Sequence, residues 1–140
     1  VAETQANLPA TVRLIPGDPP IAVVAFTVDL DLNTLSVVRE ALDQALNQES
    51  EGVLVRYLIV NLQQVEYIDS SALKALVDSV RVCKERGGSF HLCNLSIGVE
   101  RIIEITRLER IISLHSTEET AVAAIQRAAT GAQERRHTGT

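Results

Sequence analysis

Residues 53–76 read VLVRYLIVNLQQVEYIDSSALKAL. Val53 to Val60 is the densest β-branched run of the chain. It reads as the third strand of the chain. Asn61-Leu62-Gln63-Gln64 leaves that strand, and Val65 to Ile68 leads to Asp69-Ser70-Ser71. Short side chains with an oxygen acceptor mark a helix start, because they satisfy amides that have no intrahelical partner. Leu73, Leu76, Val77 and Val80 then recur at helical spacing, with Lys74, Asp78, Arg81, Lys84 and Glu85 on the other faces. Gly87-Gly88 predicts the stop. A strand followed by an amphipathic helix is half of a crossover unit, which calls for parallel pairing.

The flanks extend the pattern. Residues 1–11 read as a flexible arm, and Val12 to Ile15 as a short strand. Pro16-Gly17-Asp18-Pro19-Pro20 is a turn, and Ile21 to Phe26 is a second interior strand. Asn33 is placed to cap a helix bearing Leu35, Val38, Leu42, Ala45 and Leu46, ended by Glu51-Gly52. After the central unit come a fourth strand from Ser89 to Leu92 and a helix capped by Ser96, with Val99, Ile102 and Ile103 inward. Ile111 to Leu114 is the fifth strand. Ser116 and Glu119 have capping-box spacing ahead of a last helix carrying Val122, Ile125 and Ala129. Residues 130–140 are polar and read as a flexible tail. The order β-β-α-β-α-β-α-β-α predicts one α/β domain over 12–129: a mixed, mostly parallel five-stranded sheet packed with about four helices, its first strand antiparallel at the edge.

Composition narrows the function. The chain has 140 residues, 13 Lys plus Arg against 18 Asp plus Glu, and a net charge of -5. That balance argues against direct nucleic-acid binding. No apolar run is long enough for a membrane span, and no secretory leader pattern is present. Cys83 and Cys93 read as small apolar side chains in a reducing, cytoplasmic compartment.

Catalytic chemistry finds little support. His91, His115 and His137 have no metal-ligand spacing, so no metal is expected. The Gly87-Gly88 pair follows a helix instead of opening one, so no phosphate loop and no cofactor are expected. Ile68-Asp69-Ser70-Ser71-Ala72 lacks the Gly-x-Ser-x-Gly frame of an esterase elbow. Asp69-Ser70-Ser71 has two readings: a helix cap, or a phosphate acceptor whose added charge would change a binding surface. Asp31 and Asn61 follow strands whose C-terminal ends share a rim with it, which makes them candidate neighbours.

Leu58 to Leu76, LIVNLQQVEYIDSSALKAL, resembles the core of the STAS domain, the family of bacterial anti-sigma factor antagonists. The stretch SIGVERIIEITRLERIISLHSTEETAVAAI resembles the family's C-terminal third. The resemblance implies a non-enzymatic partner switch controlled by phosphorylation at Ser70, with Asp31, Asn61, Asp69, Ser70, Ser71, Ala72 and Arg107 in the partner-binding surface. The implied partners are an anti-sigma factor serine kinase and a metal-dependent serine phosphatase, with a homodimer left open. Val28, Ala72 and Arg107 stand where the family usually has glycine. Arg107 does not easily enter a left-handed conformation, so its turn is expected to be rebuilt. Alternative roles for the same fold are the cytoplasmic regulatory domain of a sulfate/anion transporter, an accessory subunit of a lipid or solute transporter, and a stressosome scaffold module.

Overall fold

The computed structural model describes residues 8–138. Its elements run β1 (Ala10–Ile15), β2 (Ile21–Phe26), α1 (Leu35–Leu46), β3 (Glu49–Ser50), β4 (Val53–Leu54), β5 (Tyr57–Asn61), α2 (Ser70–Glu85), β6 (Ser89–Cys93), α3 (Ile97–Ile105), a 3-10 turn (Leu108–Arg110), β7 (Ser113–His115) and α4 (Glu118–Thr138). The main sheet has the order β1-β2-β5-β6-β7. β1 is antiparallel to β2, and the other pairs are parallel. The predicted mixed five-stranded sheet and four helices are therefore present.

Alternation along the strands sends side chains to two apolar layers. Ala22, Val24, Leu58, Val60, Phe90 and Leu92 pack under α1, α2 and α3. Ile21, Val23, Ile59 and Cys93 meet Ala121 and Ile125 of α4 on the opposite face. Cys83 and Cys93 are buried and unbridged, as small apolar side chains. Burial pushes their thiols up to about 11 and about 12, so neither is a ready nucleophile.

Several boundaries differ from the sequence expectation, each for a local reason. The run from Val53 is not one strand. Glu51 and Gly52 both have positive φ (51° and 79°), which reverses the chain and pairs Val53–Leu54 with Glu49–Ser50. Glu51-Gly52 is thus a hairpin turn, and α1 has already ended at Leu46. The fifth strand begins at Ser113, because the amides of Ile111 and Ile112 turn back to the Leu108 carbonyl at 3.0 and 2.9 Å. Thr117, not Ser116, caps α4: its Oγ1 accepts the Thr120 amide at 3.1 Å. Residues 1–7 of the expected arm lie outside the described residues, while Ala10 and Thr11 are already strand. α4 continues through Gly131 to Thr138 where a tail was expected, consistent with the helix-forming Ala-Gln-Glu-Arg-Arg run over 132–136.

Two contacts fix the joint that aims α2 at the rim. Arg86 Nη1 donates to the carbonyls of Leu46 at 2.6 Å and Val55 at 2.7 Å, which ties the end of α1 to the approach of β5. Beside it, a Cβ on Gly88 would lie 1.7 Å from the Arg56 carbonyl oxygen, so no other residue fits there.

Candidate functional site

Past the C-terminal ends of β2 and β5 the chain forms two loops, 27–34 and 62–69. A backbone lattice sews them together. Leu30 N–H donates to the Tyr67 carbonyl at 3.0 Å, and Asp69 N–H to the Leu30 carbonyl at 2.9 Å. The Glu66 amide donates to Asp29 Oδ1 at 2.9 Å. Leu30 and Ile68 are buried beneath this lattice and anchor both loops to the core.

Side chains complete it. Asp31 Oδ1 accepts the amides of Asn33 (2.9 Å) and Thr34 (3.1 Å). Asn33 does not cap α1 as expected: the helix starts after Thr34, which makes no side-chain cap bond, and Asp31 instead holds the turn that leads into it, while the Thr34 hydroxyl donates to the Asp29 carbonyl at 2.8 Å. Asp69 is the cap of α2. Its Oδ1 accepts the Ala72 amide at 3.0 Å and the Ser71 hydroxyl at 2.6 Å, while Oδ2 accepts the Leu32 amide at 2.9 Å. The Ser71 hydroxyl first, and the Ala72 amide next, hold the Asp69 carboxyl below its ordinary range, so it stays ionised.

This lattice separates the two adjacent hydroxyls. Ser71 is half-buried and committed to Asp69. Ser70 is exposed on the first turn of α2, and among the described residues its Oγ has no hydrogen-bond partner. No base is joined to it, so the site lacks the nucleophile–base pair of covalent catalysis. What it presents is an acceptor hydroxyl on a rigid corner. Ala72 is buried behind it.

The sequence matches the STAS domain over residues 13–121. An anti-sigma-B factor antagonist of Bacillus subtilis (strain 168) is 32% identical over 94 residues, a stretch covering 67% of this chain and 81% of that protein. The chain belongs to the STAS domain family. An anti-sigma F factor antagonist of Paenibacillus polymyxa is 21% identical, with 76% of this chain and 87% of that protein aligned. The crystal structure of an anti-sigma factor antagonist from Mycobacterium paratuberculosis has the same fold, with a TM-score of 0.68, 21% identity, and coverage of 84% of this chain and 94% of that one.

Within this STAS domain, Asp69, Ser70, Ser71 and Ala72 form the start of α2, and Asp31 precedes Leu32, whose amide Asp69 accepts. Asn61 does not join them through hydrogen bonds. Its Oδ1 accepts the Gln63 amide at 2.9 Å, and its Nδ2 donates to Glu118 Oε1 at 2.9 Å, toward α4. Glu118 is held in turn by Arg13, which keeps its carboxyl below the usual range. Arg107 also stands apart: no hydrogen bond or ion pair links it to the Ser70 cluster among the described residues. Its turn is not rebuilt. Arg107 itself takes the left-handed conformation, with φ 60° and ψ 27°.

The sequence did not point to the apolar side chains around this corner. Leu32 is 72% exposed, Tyr67 52% and Ile97 79%. Leu32 is bonded to Asp69, and Tyr67 to Leu30. A Cβ on Gly98 would lie 3.3 Å from the Glu66 carbonyl, so the first turn of α3, with Ile97, rests against the same loop. Loop residues have no periodicity to betray exposure, and Ile97 reads as part of the apolar helix that follows it. Among the described residues no helix is long and apolar enough to cross a membrane, and no group of three His, Cys, Asp or Glu side chains is placed to hold a metal ion.

Proposed function

We propose that this chain is an anti-sigma factor antagonist that works as a phosphorylation-controlled partner switch in the cytoplasm. With Ser70 unmodified, the corner formed by the 27–34 and 62–69 loops binds an anti-sigma factor that is also a serine kinase, and the sigma factor is released. The kinase transfers the γ-phosphoryl group of ATP to Ser70 Oγ. The hydroxyl proton leaves, ADP departs, and the complex separates. A metal-dependent phosphatase hydrolyses the phosphoester with water and restores the hydroxyl. The chain is the ligand and the substrate of these enzymes, not a catalyst.

The observation that carries this reading is the exposed, unbonded Ser70 hydroxyl beside a helix cap that is already filled. A phosphate brings about -1.5 to -2 charges. At an open helix start the free amides would absorb part of that charge. Here Asp69 already occupies the Ala72 and Leu32 amides. The new charge therefore stands outward, next to the Asp69 carboxylate, to which the amide of the exposed, apolar Leu32 is bonded. Desolvating it in an interface is costly, which gives a physical reason for release.

The test is the intact mass of the protein from its native cells, with peptide mapping across Val65 to Lys74. A fraction heavier by about 80 Da, localised to Ser70, supports the switch. Absence of phosphate under growth and stress conditions alike would point to a surface that binds without modification, as in the transporter and scaffold roles.

A further inference from the structure

The main sheet ends in two unlike edges. β7 has three residues, too few to template another strand. β1 has six, paired with β2 from Ala10↔Phe26 to Ile15↔Ile21 without a bulge. It contains neither Pro nor Lys, and its one charge, Arg13, is drawn to Glu118. The usual protections of an edge are missing.

The phase of this edge is readable. Thr27 N–H donates to the Pro9 carbonyl at 2.9 Å, so positions 9, 11, 13 and 15 direct their backbone groups toward β2. Ala10, Val12 and Leu14 therefore direct their N–H and C=O groups outward. Among the described residues these groups have no hydrogen-bond partner. The outward row is bounded on both sides. The Leu8 carbonyl is taken by the Thr27 hydroxyl at 2.7 Å, and Pro16 has no N–H to offer.

We propose that two copies of this chain associate through β1, paired antiparallel with Val12 opposite Val12 on a two-fold axis. A row of three outward residues, symmetric about its middle one, is self-complementary under such an axis. In this register Ala10 faces the partner copy's Leu14 and the reverse, and each of the three pairs exchanges both backbone hydrogen bonds. Charge selects the same register. Thr11 faces the partner copy's Arg13, whereas a shift toward the Pro16 end sets Arg13 against Arg13, which repel. Packing agrees. A groove of about 560 Å³ lies beside β1 and α1, lined by Leu8, Pro9, Val12, Val37, Glu40 and Ala41. The small Ala10 leaves room there for the incoming Leu14, on the face where Ala10, Val12 and Leu14 already meet the core. The product is a continuous ten-stranded sheet.

Sedimentation of the full chain from low micromolar to millimolar concentration, with amide exchange by NMR, tests this. The expected result is a concentration-dependent twofold rise in mass, with the Ala10, Val12 and Leu14 amides becoming protected as the dimer forms. Ala10→Pro and Val12→Pro each remove an outward N–H that β2 does not use. Proline is tolerated on that side of an edge strand, so both variants should fold and sediment as monomers. A mass that stays monomeric at millimolar concentration overturns the proposal. So does a dimer that both proline variants retain. Protection of these three amides in a monomer also overturns it, because residues 1–7 of the same chain would then cover the edge. Should neither variant fold, the wild-type amide pattern still decides: a dimer whose outward β1 amides exchange freely is a dimer formed elsewhere.

Discussion

Asp69 Oδ2 accepts the backbone N–H of Leu32 at 2.9 Å, joining residues 37 apart in sequence. The other oxygen of the same carboxylate caps α2. One side chain thus joins the backbone lattice in holding the helix that carries Ser70 against the loop that carries Asp31 and Leu32. Asp69→Ala should uncouple them. The expected outcome is faster exchange of the Leu32 and Ala72 amides, with the β5 and β6 amides unchanged. Partner binding should weaken although Ser70 is intact. Asp69→Asn keeps one carbonyl acceptor and places an NH2 donor at the other position, so it should recover protection at the Ala72 or the Leu32 amide but not at both. Equal loss in both variants would mean that charge, not hydrogen bonding, holds the corner. Amide exchange followed residue by residue separates the two.

The exposed apolar side chains give a second prediction. Leu32 and Tyr67 contribute little to the folded chain, so Leu32→Ala and Tyr67→Ala should each change stability by no more than about 0.5 kcal/mol. If they seat a partner, each should weaken binding to the anti-sigma factor by about 1–2 kcal/mol, roughly tenfold. Calorimetric titration of each variant against the partner checks this, with thermal unfolding as the control. A variant that unfolds earlier and binds normally would assign these side chains to the fold.

Much of this architecture was legible because periodicity reports burial directly. Leu58 to Val60 and the Leu76–Val80 stripe could only be interior, and Ser70 could be placed at a helix start from its neighbours alone. Other features depend on contacts that sequence spacing does not encode. Val53-Leu54 is as β-branched as the strand after it, and only the positive φ at Glu51 and Gly52 separates them. Gly87-Gly88 reads as one stop signal, yet the two glycines serve different ends. Gly87 has φ 79°, whereas Gly88 is needed for the close passage of Arg56. Asn61 sits on the predicted rim, but Glu118, which claims its amide, lies 57 residues away on a helix across the sheet.

Arg107 yields a third prediction. A side chain at φ 60° is strained relative to glycine, the residue usual at this turn in the family. Arg107→Gly should stabilise the chain by about 0.5–1 kcal/mol, and Arg107→Val should destabilise it by about 1 kcal/mol or more, since a β-branched residue fits this conformation worst. Urea denaturation of the three proteins orders them. A destabilised glycine variant would mean that the guanidinium makes a contact worth more than the backbone strain.

The last prediction concerns the face of the sheet away from Ser70. His91 on β6 is buried, and its Nδ1 lies 2.9 Å from His115 Nε2, while its Nε2 lies 2.7 Å from the Ser89 hydroxyl. Burial first, and the neighbouring imidazole next, push the His91 pKa down to about 4. Burial lowers His115 in the same direction. An unfolded histidine titrates near 6.5, so between about pH 6.5 and 4 the unfolded chain binds protons that the folded chain refuses. Stability from this pair is therefore complete above about pH 6.5 and falls as the pH drops toward 4, with His91 alone contributing on the order of 3 kcal/mol. The Asp69 and Glu118 carboxyls, both depressed, begin to lose their contributions near their ordinary range and lose them fully only below it, so the acidic limb extends below the histidine window. His91→Asn should flatten the stability profile between pH 6.5 and 4 and leave the more acidic limb in place. Urea midpoints measured across that range would show it. A wild-type profile already flat there would mean that protonated His91 finds water or an acceptor at little cost.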